Sequence, residues 1–263
     1  MSLLITGGLG YIGSHIAKIL ENKKIVIIDN QSNSNLDFEK ILPNAKVFLS
    51  EITFKNLNTI FEKYKIKEVI HLAGLKSVND SITSPLSYYQ NNVVTTLNLL
   101  ESMDKFRINK LIFSSSATVY GNNNSSPLSE NLITSAINPY GETKIVNENI
   151  IRNYCNTNKK FSAVCLRYFN PIGAHNSGEL KDSPLGSPQN LMPLVINAAK
   201  GGKLKIYGSD YPTKDGTCIR DYIHVVDLAE AHLKCIDFLD KNIGFEIFNV
   251  GLGQGISVLE LVS

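Results

Sequence analysis

Tryptophan is absent from this 263-residue chain, and methionine, cysteine and proline are scarce at three, four and nine residues. The four cysteines, Cys155, Cys165, Cys218 and Cys235, form no C-x-x-C pair. That spacing argues against a disulfide scaffold or a thiolate metal site and fits reduced, structural thiols. The five histidines show no H-E-x-x-H spacing, so no metal site is expected. No apolar run approaches the ~20 residues of a membrane span. The sequence opens directly into Ser2-Leu3-Leu4-Ile5-Thr6 without a signal-peptide pattern, so a cytoplasmic location is expected. Charge of one sign is lacking too: 26 Lys+Arg against 24 Asp+Glu leave a formal +2, dispersed along the chain. Without a basic stripe, nucleic acid and anionic membrane are poor candidates as partners. There is no internal repeat.

What is present is 43% hydrophobic residues, ample for a core, in a length that suits one large domain or two small ones. Residues 3–6, 25–29, 46–49, 68–72, 110–114 and 161–166 read as strands. Most are continuous β-branched or aromatic runs, as in parallel strands covered on both faces. Helices are predicted at 12–20, 54–64, 86–105 and 140–156. This βαβα order predicts an α/β fold, a Rossmann-like doubly wound parallel sheet. Residues 122–127 read as an exposed polar loop. Residues 171–189, with three prolines, three glycines and no period, read as a long loop of the kind that carries function. A helix near 190–200, a strand at 204–207, a helix at 226–239 and a strand at 245–250 complete the pattern.

The first motif is Thr6-Gly7-Gly8-Leu9-Gly10-Tyr11-Ile12-Gly13, which fits G-x-G-x-x-G from Gly8 and G-x-x-G-x-x-G from Gly7. A glycine loop between strand and helix lets backbone N–H groups approach a pyrophosphate, with the helix N-terminus adding partial positive charge. Asp29 ends the second strand, near the ~20-residue offset of an acid that binds the adenosine ribose. No arginine follows it closely, which favours NAD over NADP. A glycine-rich turn with a surface aspartate is the plain alternative; the order strand, loop, helix, strand, acid argues against it.

The second motif is Tyr140-Gly141-Glu142-Thr143-Lys144. Positions i and i+4 share a helix face, so Lys144 lies beside Tyr140. A phenol with a pKa near ~10 is a poor base at neutral pH, and a neighbouring ammonium favours the phenolate. Y-x-x-x-K alone arises often by chance. Here Ser114-Ser115-Ser116-Ala117-Thr118 follows a buried strand upstream. The C-terminal ends of such strands face the ligand crevice, where Ser116 and Thr118 can donate to a substrate oxygen.

These residues resemble the extended short-chain dehydrogenase/reductases, and within them the UDP-glucose 4-epimerases. The specific stretches are residues 6–15, Ile70 to Lys76, Tyr88 to Asn92 and Phe113 to Gly121. Asn138-Pro139-Tyr140-Gly141, Leu166 to Pro171, Asn190 to Pro193, Tyr207 to Thr213 and Arg220 to Val225 follow. The resemblance implies NAD as cofactor, with Gly7, Gly10, Tyr11, Ile12, Gly13, Asp29, Asn30, Glu51 and Ile52 on its adenosine side. It also implies contacts to NAD from Ala73, Lys76, Asn91, Ser114, Tyr140, Lys144 and Tyr168. Ser116, Tyr140 and Lys144 form the implied catalytic set. Lys76, Ser116, Thr118, Tyr140, Asn170, Asn190, Leu191, Tyr207 and Arg220 are implied to line the UDP-sugar side. A guanidinium fork such as Arg220 suits a diphosphate.

The implied reaction interconverts UDP-glucose and UDP-galactose in galactose metabolism. Tyr140 takes the C4 hydroxyl proton as NAD accepts hydride, the 4-keto sugar rotates, and hydride returns to the opposite face. Other readings remain: epimerisation of an N-acetylhexosamine or pentose nucleotide, or a non-catalytic NAD-binding protein. A 4,6-dehydratase is disfavoured because Val119-Tyr120 follows Thr118 where related dehydratases carry Asp-Glu. The family usually has Asp-Ile where this chain has Glu51-Ile52. It also continues past the position of Ser263, so a C-terminal truncation is expected. The expected organisation is an NAD domain over 1–170 and an incomplete substrate lobe over 171–263, with the strand at 245–250 returning to the main sheet. A homodimer is expected of the complete protein.

Overall fold

Alternate residues of one short strand feed two different cores. In β1 (Ser2–Thr6), Leu3 and Ile5 pack into one hydrophobic cluster and Leu4 into the other. In β2 (Ile25–Asp29), Ile25 and Ile27 join the first, Val26 and Ile28 the second. Both faces of the sheet are therefore covered, which is why these runs show no polar alternation. The computed structural model describes residues 2–122, 124–182, 185 and 190–263. Parts of the expected loops at 122–127 and 171–189 lie outside the described residues.

The remaining strands are β3 (Lys46–Leu49), β4 (Ile66–His71), β5 (Lys110–Ser116), β6 (Ser162–Tyr168), β7 (Asn170–Ile172), β8 (Ile219–His224), β9 (Gly244–Val250) and β10 (Gly255–Ser257). Seven of them form a parallel sheet in the order β3-β2-β1-β4-β5-β6-β9. The order reverses between β1 and β4, so a crevice opens at the carboxyl ends of these two strands. A smaller sheet, β10-β8-β7, carries the β8 side chains Arg220 and Asp221.

The helices are α1 (Tyr11–Ile19), α2 (Phe38–Ile41), α3 (Phe54–Lys63), α4 (Val78–Thr83), α5 (Pro85–Tyr88), α6 (Val94–Lys105), α7 (Pro139–Thr157), α8 (Leu191–Ala199), α9 (Val225–Leu239) and α10 (Val258–Val262). Residues of α1 and α9 complete the first cluster; residues of α3, α6 and α7 complete the second. Helix α7 starts where the Asn138 side chain accepts from Gly141 N at 2.8 Å, with Pro139 in the first turn. Among the described residues no helix is long and apolar enough to cross a membrane.

Two expectations fail. The helix predicted over 86–105 is interrupted by a π turn at Tyr89–Val93 between α5 and α6. Hydrophobic periodicity does not register one inserted residue. The strand predicted at 204–207 does not form: Leu204 and Ile206 are half-buried and Lys205 and Tyr207 exposed, as in an extended segment, but no described strand pairs with it.

Candidate active site

The glycine loop turns between β1 and α1 with its backbone bare. Gly7 adopts φ +70°, and a side chain there would meet Ala73 N at 2.7 Å. A side chain on Gly13 would meet Gly7 O at 2.3 Å. Only glycine allows both approaches. Gly10 is the N-cap of α1 and offers no side-chain hydrogen bond, so first-turn N–H groups of Tyr11, Ile12 and Gly13 stay available to an anion. Asp29 braces the loop: it accepts from Leu9 N at 2.9 Å and Gln31 N at 2.7 Å. A carboxylate has about four lone-pair sites, so acceptor capacity remains for ribose hydroxyls. Beside it Asn30 donates to Glu51 at 3.0 Å, and Ile52 is buried behind them. This cradle fits a dinucleotide.

Across the crevice, Ala73 and Lys76 lie on the segment that follows β4, with the Lys76 side chain exposed. The π turn brings two consecutive asparagines to this segment. Leu75 N donates to Asn91 at 3.2 Å and to Asn92 at 2.7 Å. The Asn92 amide also donates to Leu75 O at 3.0 Å and to the Thr143 hydroxyl at 3.1 Å. Asn92 thus links the Lys76 segment to α7 one residue before Lys144. Sequence reasoning passed over it, because nothing in a helical pattern marks the inserted residue that aims both amides the same way.

Strand β5 and helix α7 build the reactive end. Thr118 Oγ1 donates to Ser116 Oγ at 3.0 Å, and the Ser116 hydroxyl hydrogen-bonds the Tyr140 phenol. Lys144 Nζ donates to Ser114 O at 2.6 Å and lies 5.7 Å from the Tyr140 ring centroid. Burial holds the Lys144 ammonium down to about 8, against the opposing pull of Glu148. Burial also raises the Tyr140 phenol above its ordinary value, and the Ser116 hydrogen bond pulls it back only in part. The lowering expected from Lys144 is not what this geometry gives. The ammonium is spent on a carbonyl, and desolvation of the phenolate outweighs it. His71, fully buried behind Lys144, bridges the hydroxyls of Thr6 at 2.7 Å and Thr96 at 3.1 Å and is held down to about 3 by burial.

The remaining expected residues are placed less tightly. Tyr168 is buried with its hydroxyl against His232 Nε2 at 2.6 Å, so its polar end is engaged by α9. The Tyr11 hydroxyl donates to Gly173 O at 2.7 Å, tying α1 to the segment after β7. Asn170 is exposed on β7, paired in register with Tyr222 of β8, two residues beyond the exposed Arg220. Asn190 donates to Asp182 at 2.9 Å, Leu191 begins α8, and Tyr207 is 73% exposed under Lys205. No hydrogen bond or ion pair among the described residues joins Asn190, Leu191, Tyr207 or Arg220 to the Tyr140 group. Asp221, which sequence reasoning did not single out, accepts from Leu252 N and Gly253 N at 2.8 Å each and shapes the loop after β9.

Comparison with known proteins bears on what this arrangement does. Residues 3–251 match the family described as "NAD dependent epimerase/dehydratase family". The UDP-glucose 4-epimerase of Bacillus subtilis is 45% identical over 279 residues, spanning 100% of this chain and 80% of the relative. The bifunctional UDP-glucose 4-epimerase and UDP-xylose 4-epimerase 1 of Pisum sativum is 43% identical, spanning 99% of this chain and 79% of that protein. Among solved structures, the UDP-glucose 4-epimerase from Bifidobacterium longum in complex with NAD+ and UDP superposes with a TM-score of 0.93 at 42% identity. The match covers 99% of this chain and 81% of that one.

Proposed function

The chain belongs to the NAD dependent epimerase/dehydratase family, and we propose that it interconverts UDP-glucose and UDP-galactose by inverting the sugar at C4. One observation carries the reading. The Tyr140 phenol, bonded to Ser116 and backed by Lys144, stands at the carboxyl end of the same sheet that presents the bare glycine cradle. Gly7, Gly10, Tyr11, Ile12, Gly13, Asp29 and Asn30 would hold the adenosine side of NAD, and Lys76, Asn91 and Lys144 the other. NAD, when bound, supplies a reversible hydride acceptor, so the reaction has no net redox change.

The protein side chains do the rest. Ser116 and Thr118 hold the C4 oxygen, and Tyr140 takes its proton in one direction and returns it in the other. Lys144, 5.7 Å from the Tyr140 ring centroid, opposes the desolvation of the phenolate without outweighing it. Asn170, Asn190, Leu191, Tyr207 and Arg220 would grip the UDP, with Arg220 as the cation for the diphosphate. The lobes divide near residue 170, with β9 returning to the main sheet. A pentose reading draws support from the Pisum sativum relative, whose name includes UDP-xylose 4-epimerase.

A second copy of the chain is the proposed partner. Ile82, Leu86, Tyr89 and Leu97 expose apolar surface along α4 to α6, and Ser87, Gln90, Val93 and Val94 between them carry no charge. Such a patch can face its own copy without repulsion in an isologous pair. Sedimentation equilibrium checks this against a monomer. For the activity, the protein is incubated with UDP-galactose and with UDP-xylose and the sugars are resolved. UDP-glucose from UDP-galactose is expected. No product from either, with NAD present, overturns the reading.

A further inference from the structure

Beneath Lys144 lies a buried ion pair that the proposed reaction does not use directly. Glu148 is four residues beyond Lys144 on α7, one turn along the same face, and Arg167 rises from β6. Both side chains are almost fully buried, at 3% and 2% exposure. Arg167 forks onto the carboxylate, Nε to Oε1 at 2.9 Å and Nη2 to Oε2 at 2.7 Å. The Ser115 hydroxyl, between the two serines that meet Lys144 and Tyr140, donates to Glu148 Oε1 at 2.5 Å. The other face of the guanidinium donates to the Tyr120 hydroxyl at 3.0 Å and to Glu130 O at 3.2 Å.

From this geometry, and resting on the proposed function, we infer that Glu148 and Arg167 are positioning residues that set the charge balance around Tyr140. Arg167 engages both oxygens of Glu148 and so offsets part of the pull that this carboxylate exerts on Lys144. The Lys144 ammonium, held on Ser114 O, is then only partly compensated where it lies 5.7 Å from the Tyr140 ring. Without Arg167, the cations four residues from Glu148 along the helix are Lys144 and Arg152; Arg152 is exposed and Lys144 buried, and a Glu148–Lys144 pair would cancel the charge that favours the phenolate.

The surrounding groups leave this balance to those three residues. His71 of β4 is neutral, its imidazole held to about 3 by burial. Burial raises the Cys165 thiol and the Tyr168 phenol of β6 and the Tyr88 phenol of α5, so all three stay protonated. Ser114 and Ser116 of β5 contribute dipoles only. Arg152 of α7 is exposed and screened by solvent. Lys144, Glu148 and Arg167 are thus the buried charges of this cluster, and on this inference each of the last two acts on Tyr140 with its own sign.

Opposite signs make the test sharp. The Tyr140 phenolate is titrated by ultraviolet difference absorbance, each protein against its own Tyr140→Phe counterpart, so no turnover is needed. Glu148→Gln leaves Arg167 unbalanced and is expected to lower the Tyr140 midpoint by about half to one pH unit, the order of one unit charge acting through a protein interior at an effective dielectric of ~20. Arg167→Gln frees the carboxylate and is expected to raise the midpoint by a similar amount. The double variant returns it near the parent value, and the acidic limb of the kcat profile follows each midpoint. Single variants that leave the midpoint in place, or move it in the same direction, overturn the inference even if both lose activity. Should a single variant fail to fold, Arg167→Lys retains the charge: an unmoved midpoint there supports the inference and a shifted one overturns it. A chain that carries out no epimerisation ends the functional reading alone, because the phenolate titration still decides this one.

Discussion

Strand β5 and helix α8 are both rich in apolar residues, yet the fold treats them in opposite ways. Leu111, Ile112 and Phe113 of β5 are 0–2% exposed, with strands on both sides and helices on both faces. Helix α8, Leu191–Ala199, has no buried residue, and its Ile196 is 50% exposed. The difference extends to how each half holds its chemistry. Around Tyr140, side chains are fixed by packing and by buried hydrogen bonds such as Lys144 to Ser114 O. Around Arg220, order rests on separate polar contacts: Asp221 on the loop after β9, and Asp215 on Thr217 and Ser257. The first half has its reacting groups pre-positioned. The second relies on exposed backbone bonds, which open more easily.

The largest effect belongs to the packed half. Tyr140→Phe is expected to lower turnover by about 10²–10⁴ while NAD content is unchanged. Epimerase rate and dinucleotide released on denaturation measure the two, and near-normal turnover would break the proposed mechanism. A stability pair tests the packing contrast itself. Leu111→Ala should cost about 2–5 kcal/mol by urea denaturation, Ile196→Ala less than about 0.5 kcal/mol. Equal costs would mean that the two halves are packed alike.

Protonation probes the same half. Burial holds His71 to about 3 and His232 to about 4, below the ordinary 6.5. The folded state therefore resists a proton that the unfolded chain accepts below pH 6.5. The stability is fully present above that pH and is lost as pH falls toward 4, by about 2 kcal/mol per histidine at pH 5. His232→Gln should flatten the denaturation midpoint over that range. On the looser side, Arg220→Ala should cost about 1.5–3 kcal/mol of UDP affinity, over tenfold, and leave NAD content alone. Calorimetric titration of UDP checks it; an unchanged affinity removes Arg220 from the diphosphate. The smallest change is Asp221→Asn, about 1 kcal/mol, read as faster hydrogen exchange at the Leu252 and Gly253 amides.

Much of the fold was legible because its signals are local. Continuous β-branched runs marked the buried strands, and the helical pattern over 140–156 marked α7. The glycine loop and Y-x-x-x-K were legible for the same reason, since each is a short motif on one turn of chain. The 204–207 strand was misread because a strand is completed by a partner, and alternation alone cannot supply one. Asn92, Glu148 and Arg167 were invisible for a related reason. Their roles come from residues 17 to 51 positions away, at Leu75, Thr143 and on β5 and β6.

By itself, then, the sequence determined the strand–helix order, the bare phosphate-type loop and the identities of Tyr140, Lys144 and Ser116, because backbone sterics and helix periodicity act over a few residues. Only the tertiary structure decided the protonation tendencies of those groups. The Tyr140 phenol is raised and the Lys144 ammonium is lowered by burial, and burial is a property of the packed sheet and helices, not of any local stretch of chain.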